Sequence, residues 1–164
     1  MSNSKNYQEE HSEHIIFSPA TGDIINIEDI KDPVFNQKLI GDGLAIKPLH
    51  GEIFSPCNGN VVHILKEKHA IFISCDDGTL ILIHIGIDTV EMNGNGFNCL
   101  VEERQQVNVG DALIQIDLNK IKEHNKDDTI ITLIINENNE NIKNISFKNS
   151  GHCFAGKTVL FKYK

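Results

Sequence analysis

The rhythm of this chain limits its fold more than any other feature. From Ile15 onward, short apolar runs are cut again and again by Gly, Asn, Asp and Pro, and the runs draw heavily on isoleucine, of which there are 25. A β-branched side chain is stiff at χ1 and packs well on a pleated surface, so such runs favour strands over helices. Residues 23–27, 44–47, 52–54, 60–65, 70–75, 80–84, 112–116, 129–134 and 158–162 read as strands. Turn signals separate them, among them Gly41-Asp42-Gly43, Asn58-Gly59, Asp76-Asp77-Gly78 and Val109-Gly110-Asp111. Short strands at this spacing predict an all-β fold, an antiparallel β-sandwich or barrel-like arrangement with a few short helical turns. Asp117 can cap a helix over residues 118–124, and Pro33 can open a single turn at 34–38.

A length of 164 residues suits one domain. Residues 1–14 have no apolar period and read as a disordered tail, leaving 15–164 as a single domain. The net charge of −8 lacks the basic face that a nucleic-acid binder or a polybasic membrane binder needs. No apolar run approaches the ~20 residues of a membrane span. The polar start, MSNSKNYQEEHSEH, has no apolar core of a secretory signal, so a cytoplasmic location without membrane insertion is expected. Cys57, Cys75, Cys99 and Cys153 show no short paired spacing, which predicts four free thiols rather than a zinc ribbon or a disulfide framework. Nothing demands an oligomer, and a monomer is expected. The segments IGDGLAIKP at 40–48, VGDALIQID at 109–117 and, more loosely, AGKTVLFKY at 155–163 echo one another, either as a duplicated half-barrel or as ordinary turn-then-strand grammar.

Residues 68–97, KHAIFISCDDGTLILIHIGIDTVEMNGNGF, carry the chemistry. Two apolar runs joined by Asp-Asp-Gly read as a β-hairpin, with His69 before the first run and His84 at the end of the second. Opposed residues in an antiparallel pair keep a constant sum. A two- or four-residue loop sets that sum at 153 and places His69 directly opposite His84, with Cβ atoms ~5 Å apart. A three-residue loop gives 154 and puts them out of step. A facing imidazole pair can be a satisfied structural pair, part of a metal site, an acid–base pair, or a nucleophilic histidine with a helper. A phosphoryl-accepting histidine needs one nitrogen to hold a proton against a carbonyl, so that the other keeps its lone pair. A second imidazole can then donate a hydrogen bond to the phosphoryl oxygens. Gly86, just after His84, leaves backbone exposed for such a carbonyl.

Over roughly residues 15–164 the sequence resembles the glucose-type IIA component of the bacterial phosphoenolpyruvate-dependent sugar phosphotransferase system. The segments that carry the likeness, in order, are SPATGDIINIEDIKDPVFNQKLIGDGLAIKP, SPCNGNVVHILKEKHAIFI, LIHIGIDTVEMNGNGF and VNVGDALIQID. The resemblance implies an antiparallel β-sandwich and a phosphocarrier, a transferase whose substrates are proteins. It implies that the chain takes a phosphoryl group from the carrier HPr and passes it to a cysteine on the IIB domain of a sugar permease. His84 then corresponds to the histidine phosphorylated on Nε2 and His69 to the histidine that supports transfer. By the same likeness Asp42 and Asp88 border the site, and Gly86 holds a ring through its carbonyl. No cofactor is required, although His69 and His84 can share a zinc ion with a partner protein that adds a carboxylate. Regulated metabolic or transport proteins are further partners that the likeness allows.

The chain departs from the family in places. The family usually carries threonine two residues before its first histidine, where this chain has Glu67, whose carboxylate either faces the site or points to water. Leu65, Ile71 and Leu82 stand where some members have phenylalanines, so an aliphatic docking patch is expected. Three other functions compete with this one. A regulatory binding module could keep the histidines with little turnover. A zinc peptidase of related fold needs His-x-His, and Gly86 stands in the second place. A biotin- or lipoyl-type carrier needs a lysine on its hairpin tip, where this chain has Asp76-Asp77-Gly78.

Overall fold

Each isoleucine-rich run becomes a strand. The computed structural model describes residues 13–136, 142, 144–148 and 150–164. The first seven strands are β1 (His14–Phe17), β2 (Gly22–Asn26), β3 (Gly41–Pro48), β4 (Glu52–Phe54), β5 (Gly59–Ile64), β6 (Ala70–Cys75) and β7 (Leu80–Ile87). They are followed by β8 (Phe97–Cys99), β9 (Gln106–Val107), β10 (Ala112–Ile116), β11 (Asp127–Ile135), β12 (Ile145–Phe147), β13 (His152–Cys153) and β14 (Val159–Tyr163). Two short α-helices, α1 (Pro33–Asn36) and α2 (Leu118–Glu123), and 3₁₀ turns at Ile27–Asp29 and Thr89–Met92 complete the described elements. The helix starts follow their caps: the Asp32 side chain accepts from the Val34 N–H and the Asp117 side chain from those of Asn119 and Lys120. The tail expected over 1–14 lies outside the described residues apart from Glu13 and His14, and His14 already opens β1, opposite Tyr163.

An eight-stranded sheet runs β13-β2-β3-β11-β7-β6-β5-β9, and two three-stranded sheets run β1-β14-β12 and β4-β10-β8. All pairings are antiparallel. The three echoing segments fall in three different sheets, as β3, β10 and β14, which favours turn grammar over a duplicated half-barrel. One face of the large sheet packs Ile46, Ile71, Ile73, Ile81, Ile83, Ile85 and Ile130 against Ile16, Ile53, Ile114 and Phe161 of the small sheets. The other face, with Ala45, Ala70, Leu82, Ile131 and Leu133, is covered by Ile27, Ile30 and Phe35 from the segment between β2 and β3. Central strands buried on both faces explain why β11 reads as an almost unbroken apolar run.

The β6–β7 hairpin takes the three-residue loop, so the expected register is corrected by one. Ala70, not His69, stands opposite His84, and Ser74 stands opposite Leu80. Cys75 N–H bonds the Thr79 carbonyl at 2.8 Å, and Gly78 has a φ of +89°, the left-handed residue that closes a three-residue turn. Asp77 fixes this choice by accepting from both the backbone N–H and the hydroxyl of Thr79.

Candidate functional site

His84 sits near the end of β7 on the face covered by α1. The ring of Phe35, from α1, packs on it with centroids 4.9 Å apart. Just beyond, the strand breaks: Gly86 has a φ of +76° and Asp88 a φ of +60°. That kink turns the Gly86 carbonyl back onto the ring, where it lies 2.8 Å from His84 Nδ1. A carbonyl can only accept, so Nδ1 carries the proton and Nε2 of the neutral ring keeps its lone pair. The kink needs glycine. A Cβ there would lie 2.3 Å from Thr89 Cγ2 and 2.7 Å from the Asp127 carbonyl oxygen. Thr89 is itself fixed, its hydroxyl donating to the Ile85 carbonyl.

His69 reaches His84 despite the shifted register because it lies one residue outside β6. Lys68, at φ +65°, turns the chain just before it, and the His69 carbonyl accepts from the Ile85 N–H at 2.7 Å. The imidazoles meet edge to face, centroids 5.2 Å apart at 84°. His69 is 5% exposed, and its Nδ1 is buried with no hydrogen-bond partner among the described residues. Such an unmet group is costly, and functional sites are where the cost is tolerated.

Both rings are held neutral. Burial pushes the His84 pKa down to about 4, the neighbouring His69 adds to the depression, and the Gly86 carbonyl and the Asp32 carboxylate oppose it. Burial also lowers His69, against an upward pull from Glu67. Glu67 is half-buried, and its charge acts on the His69 ring.

The aspartates are distributed differently from the expectation. Asp42, at the start of β3, lies 3.6 Å from Lys38 Nζ and accepts from the Gly43 N–H. Among the described residues, no hydrogen bond or ion pair links it to the histidines. The aspartate whose charge reaches His84 is Asp32, the cap of α1. Sequence reasoning passed over it, although its place before Pro33 and three residues from the site-facing Phe35 was a usable signal. Asp88 follows the Gly86 kink and is exposed. The expected aliphatic patch is also revised. Ile71 is 0% and Leu82 4% exposed, because strand alternation sends them into the two cores, while Leu65 is half-buried. The exposed apolar side chains on segments flanking the histidines are Val34, Leu39 and Val90.

A cleft of about 1030 Å³ is lined by Leu49, His50, Phe54, Phe97, Gln115 and Leu118 among others and contains neither His69 nor His84. Of the other histidines, His63 meets Glu103, His152 meets Asp23 and His124 meets the Lys120 carbonyl. No group of three His, Cys, Asp or Glu side chains among the described residues converges as a metal site.

Residues 14–140 match the EIIA 1 family of the phosphoenolpyruvate-dependent sugar phosphotransferase system. The glucose-specific EIIA component of this system from Buchnera aphidicola subsp. Acyrthosiphon pisum is 46% identical over 145 residues, 88% of each chain. The chain belongs to this family. The glucose permease IIA structure from Mycoplasma capricolum superimposes with a TM-score of 0.84 at 31% identity, covering 93% of this chain and 97% of that one. The protein is a glucose-type IIA component, a phosphocarrier and transferase part of the sugar phosphotransferase system, on the antiparallel β-sandwich expected of it. Among the described residues, no helix is long and apolar enough to cross a membrane.

Proposed function

We propose that His84 accepts the phosphoryl group on Nε2 from phosphorylated HPr and passes it to a cysteine on the IIB domain of a sugar permease. The observation that carries this reading is the Gly86 carbonyl on His84 Nδ1, which leaves Nε2 as the free nucleophile. Nε2 attacks phosphorus as the donor's P–N bond breaks. Positive charge developing on the ring is met by the Gly86 carbonyl and the Asp32 carboxylate, the two groups that raise its proton affinity. The low basicity of His84 keeps it neutral before transfer and makes it a good leaving group afterwards. His69, edge-on beside it, supports the phosphoryl oxygens.

The exposed Val34, Leu39 and Val90 support protein substrates, and the net charge of −8 suits partners with a basic rim. We place the chain in the cytoplasm as a monomer. His69 and His84 provide two nitrogen donors, fewer than the four ligands of a structural zinc site. A zinc ion would therefore hold here only with donors from a partner, and transfer itself requires no cofactor. The regulatory-module reading is not favoured, since the matching family and relative are named as components of the phosphotransferase system.

Mass spectrometry after incubation with phospho-HPr tests the assignment. His84→Ala should gain no phosphoryl group. His69→Ala should gain one but fail to release it to the IIB domain. Normal labelling of His84→Ala would remove His84 from the role.

A further inference from the structure

The four cysteines are free, and Cys57, Cys75 and Cys153 are buried. Two of them form a pair that their spacing in the sequence does not suggest. Cys75 Sγ lies 3.0 Å from Cys57 Sγ. The β5–β6 hairpin creates the contact. Gly59 stands opposite Cys75, and the Asp76 N–H bonds the Asn58 carbonyl at 3.0 Å. Cys57, two residues ahead of Gly59, therefore folds back beneath the end of β6. Its carbonyl is fixed by the Ser55 hydroxyl at 2.7 Å.

We propose that Cys57 and Cys75 form a dithiol site for two-electron oxidants, closing to an internal disulfide that clamps the β5–β6 hairpin. A disulfide needs a sulfur separation of about 2 Å, so closure requires roughly 1 Å of side-chain movement on a backbone already paired. With a hydroperoxide as oxidant, the Cys75 sulfur attacks one peroxide oxygen, the O–O bond breaks, and the departing alkoxide takes the thiol proton. Cys75 is then a sulfenic acid. The Cys57 sulfur attacks the Cys75 sulfur, the S–O bond breaks, and water leaves with the Cys57 proton. The sum is two thiols and one hydroperoxide giving one disulfide, one alcohol and one water. The sulfurs lose the two electrons that the peroxide gains.

The neighbouring Cys75 sulfur, burial, and the charges of Asp77 and Asp76 push the Cys57 thiol up. With the sulfurs 3.0 Å apart, the reverse order, Cys57 first, gives the same disulfide. Cys99 and Cys153 are internal controls. Cys99 bonds the Val101 carbonyl, and Cys153 accepts from the Ser18 hydroxyl at 3.3 Å. The site is independent of the phosphoryl chemistry, since Cys75 closes β6 at the opposite end from His69.

The full-length chain is treated with hydrogen peroxide, denatured, alkylated with iodoacetamide and mapped by mass spectrometry. The expected result is two protected thiols in a linked Cys57–Cys75 peptide, reversed by dithiothreitol. The thermal midpoint of the oxidised chain should rise by roughly 6–12 °C, the size expected for closing a loop of this length in a domain of this size. Cys57→Ser or Cys75→Ser should each abolish protection, and Cys99→Ser should leave it. Alkylation of all four thiols after peroxide, or protection of a pair that includes Cys99 or Cys153, overturns the proposal. The wild-type map decides this even where a serine variant fails to fold.

Discussion

Lowering the pH from 7 towards 4 forces a proton onto a buried ring. His84 has its pKa pushed down to about 4 from an ordinary 6.5, by burial first and by His69 second. The folded state therefore binds this proton less readily than the unfolded chain, and between those two values the unfolded chain holds more protons. Stability from this group is fully present above about 6.5 and is lost as the pH falls through about 4. At ~1.4 kcal/mol per pH unit the full loss is roughly 3 kcal/mol, and partial solvent access to the ring trims it towards 2. Many carboxylates titrate over the same range, so the comparison is with His84→Gln, which removes only this proton. Urea unfolding of both proteins at a series of pH values should show the wild type losing about 2–3 kcal/mol more than the variant between pH 7 and 4. There is a functional counterpart. An ordinary histidine at pH 6 is roughly three-quarters protonated and unable to attack, whereas His84 stays neutral, so phosphoryl uptake should be flat from pH 8 to 6. Parallel stability curves for the two proteins, with a His84 NMR titration centred at 6.5 or above, would refute the reasoning.

Gly86→Ala places a Cβ into Thr89 and the Asp127 carbonyl at a φ of +76°. It should cost about 2–4 kcal/mol, read by calorimetry, and should loosen the His84 tautomer seen in ¹⁵N shifts. Glu67→Thr removes a charge that opposes the incoming phosphoryl dianion. Even about 1 kcal/mol of relief is roughly a fivefold faster uptake from phospho-HPr in stopped flow, with a lower His69 pKa alongside. Asp32→Asn keeps the cap of α1 but removes the carboxylate that raises His84, so the His84 NMR midpoint should fall further and uptake should slow several-fold.

The elements legible in the sequence were those with strong side-chain periodicity. β4, β6 and β10 begin and end where their apolar runs do, and α2 starts at its Asp117 cap. The strands that escaped, β1, β8, β9, β12 and β13, run to four residues at most and mix polar with apolar, so pairing partners rather than pattern define them. The histidine pair was legible, but for a reason that needed correcting. Strict opposition failed when Gly78 closed a three-residue turn, and the rings meet because His69 sits just past the strand end, free of its alternation. Asp32 was legible only as a helix cap before Pro33, since its relation to His84 exists only once α1 lies across the sheet. Cys57 and Cys75 come together only through the β5–β6 register, which spacing cannot reveal.

With the Gly86 carbonyl holding the Nδ1 proton of His84, Nε2 is the atom expected to take the phosphoryl group. Phosphorus and nitrogen NMR of the ¹⁵N-labelled chain, recorded before and after phosphorylation by phospho-HPr, tests it directly. The expected result is a neutral His84 protonated on Nδ1 before transfer, and a phosphorus coupling to Nε2 of that ring afterwards. A phosphoryl group on Nδ1, on His69 or on any other side chain would contradict it.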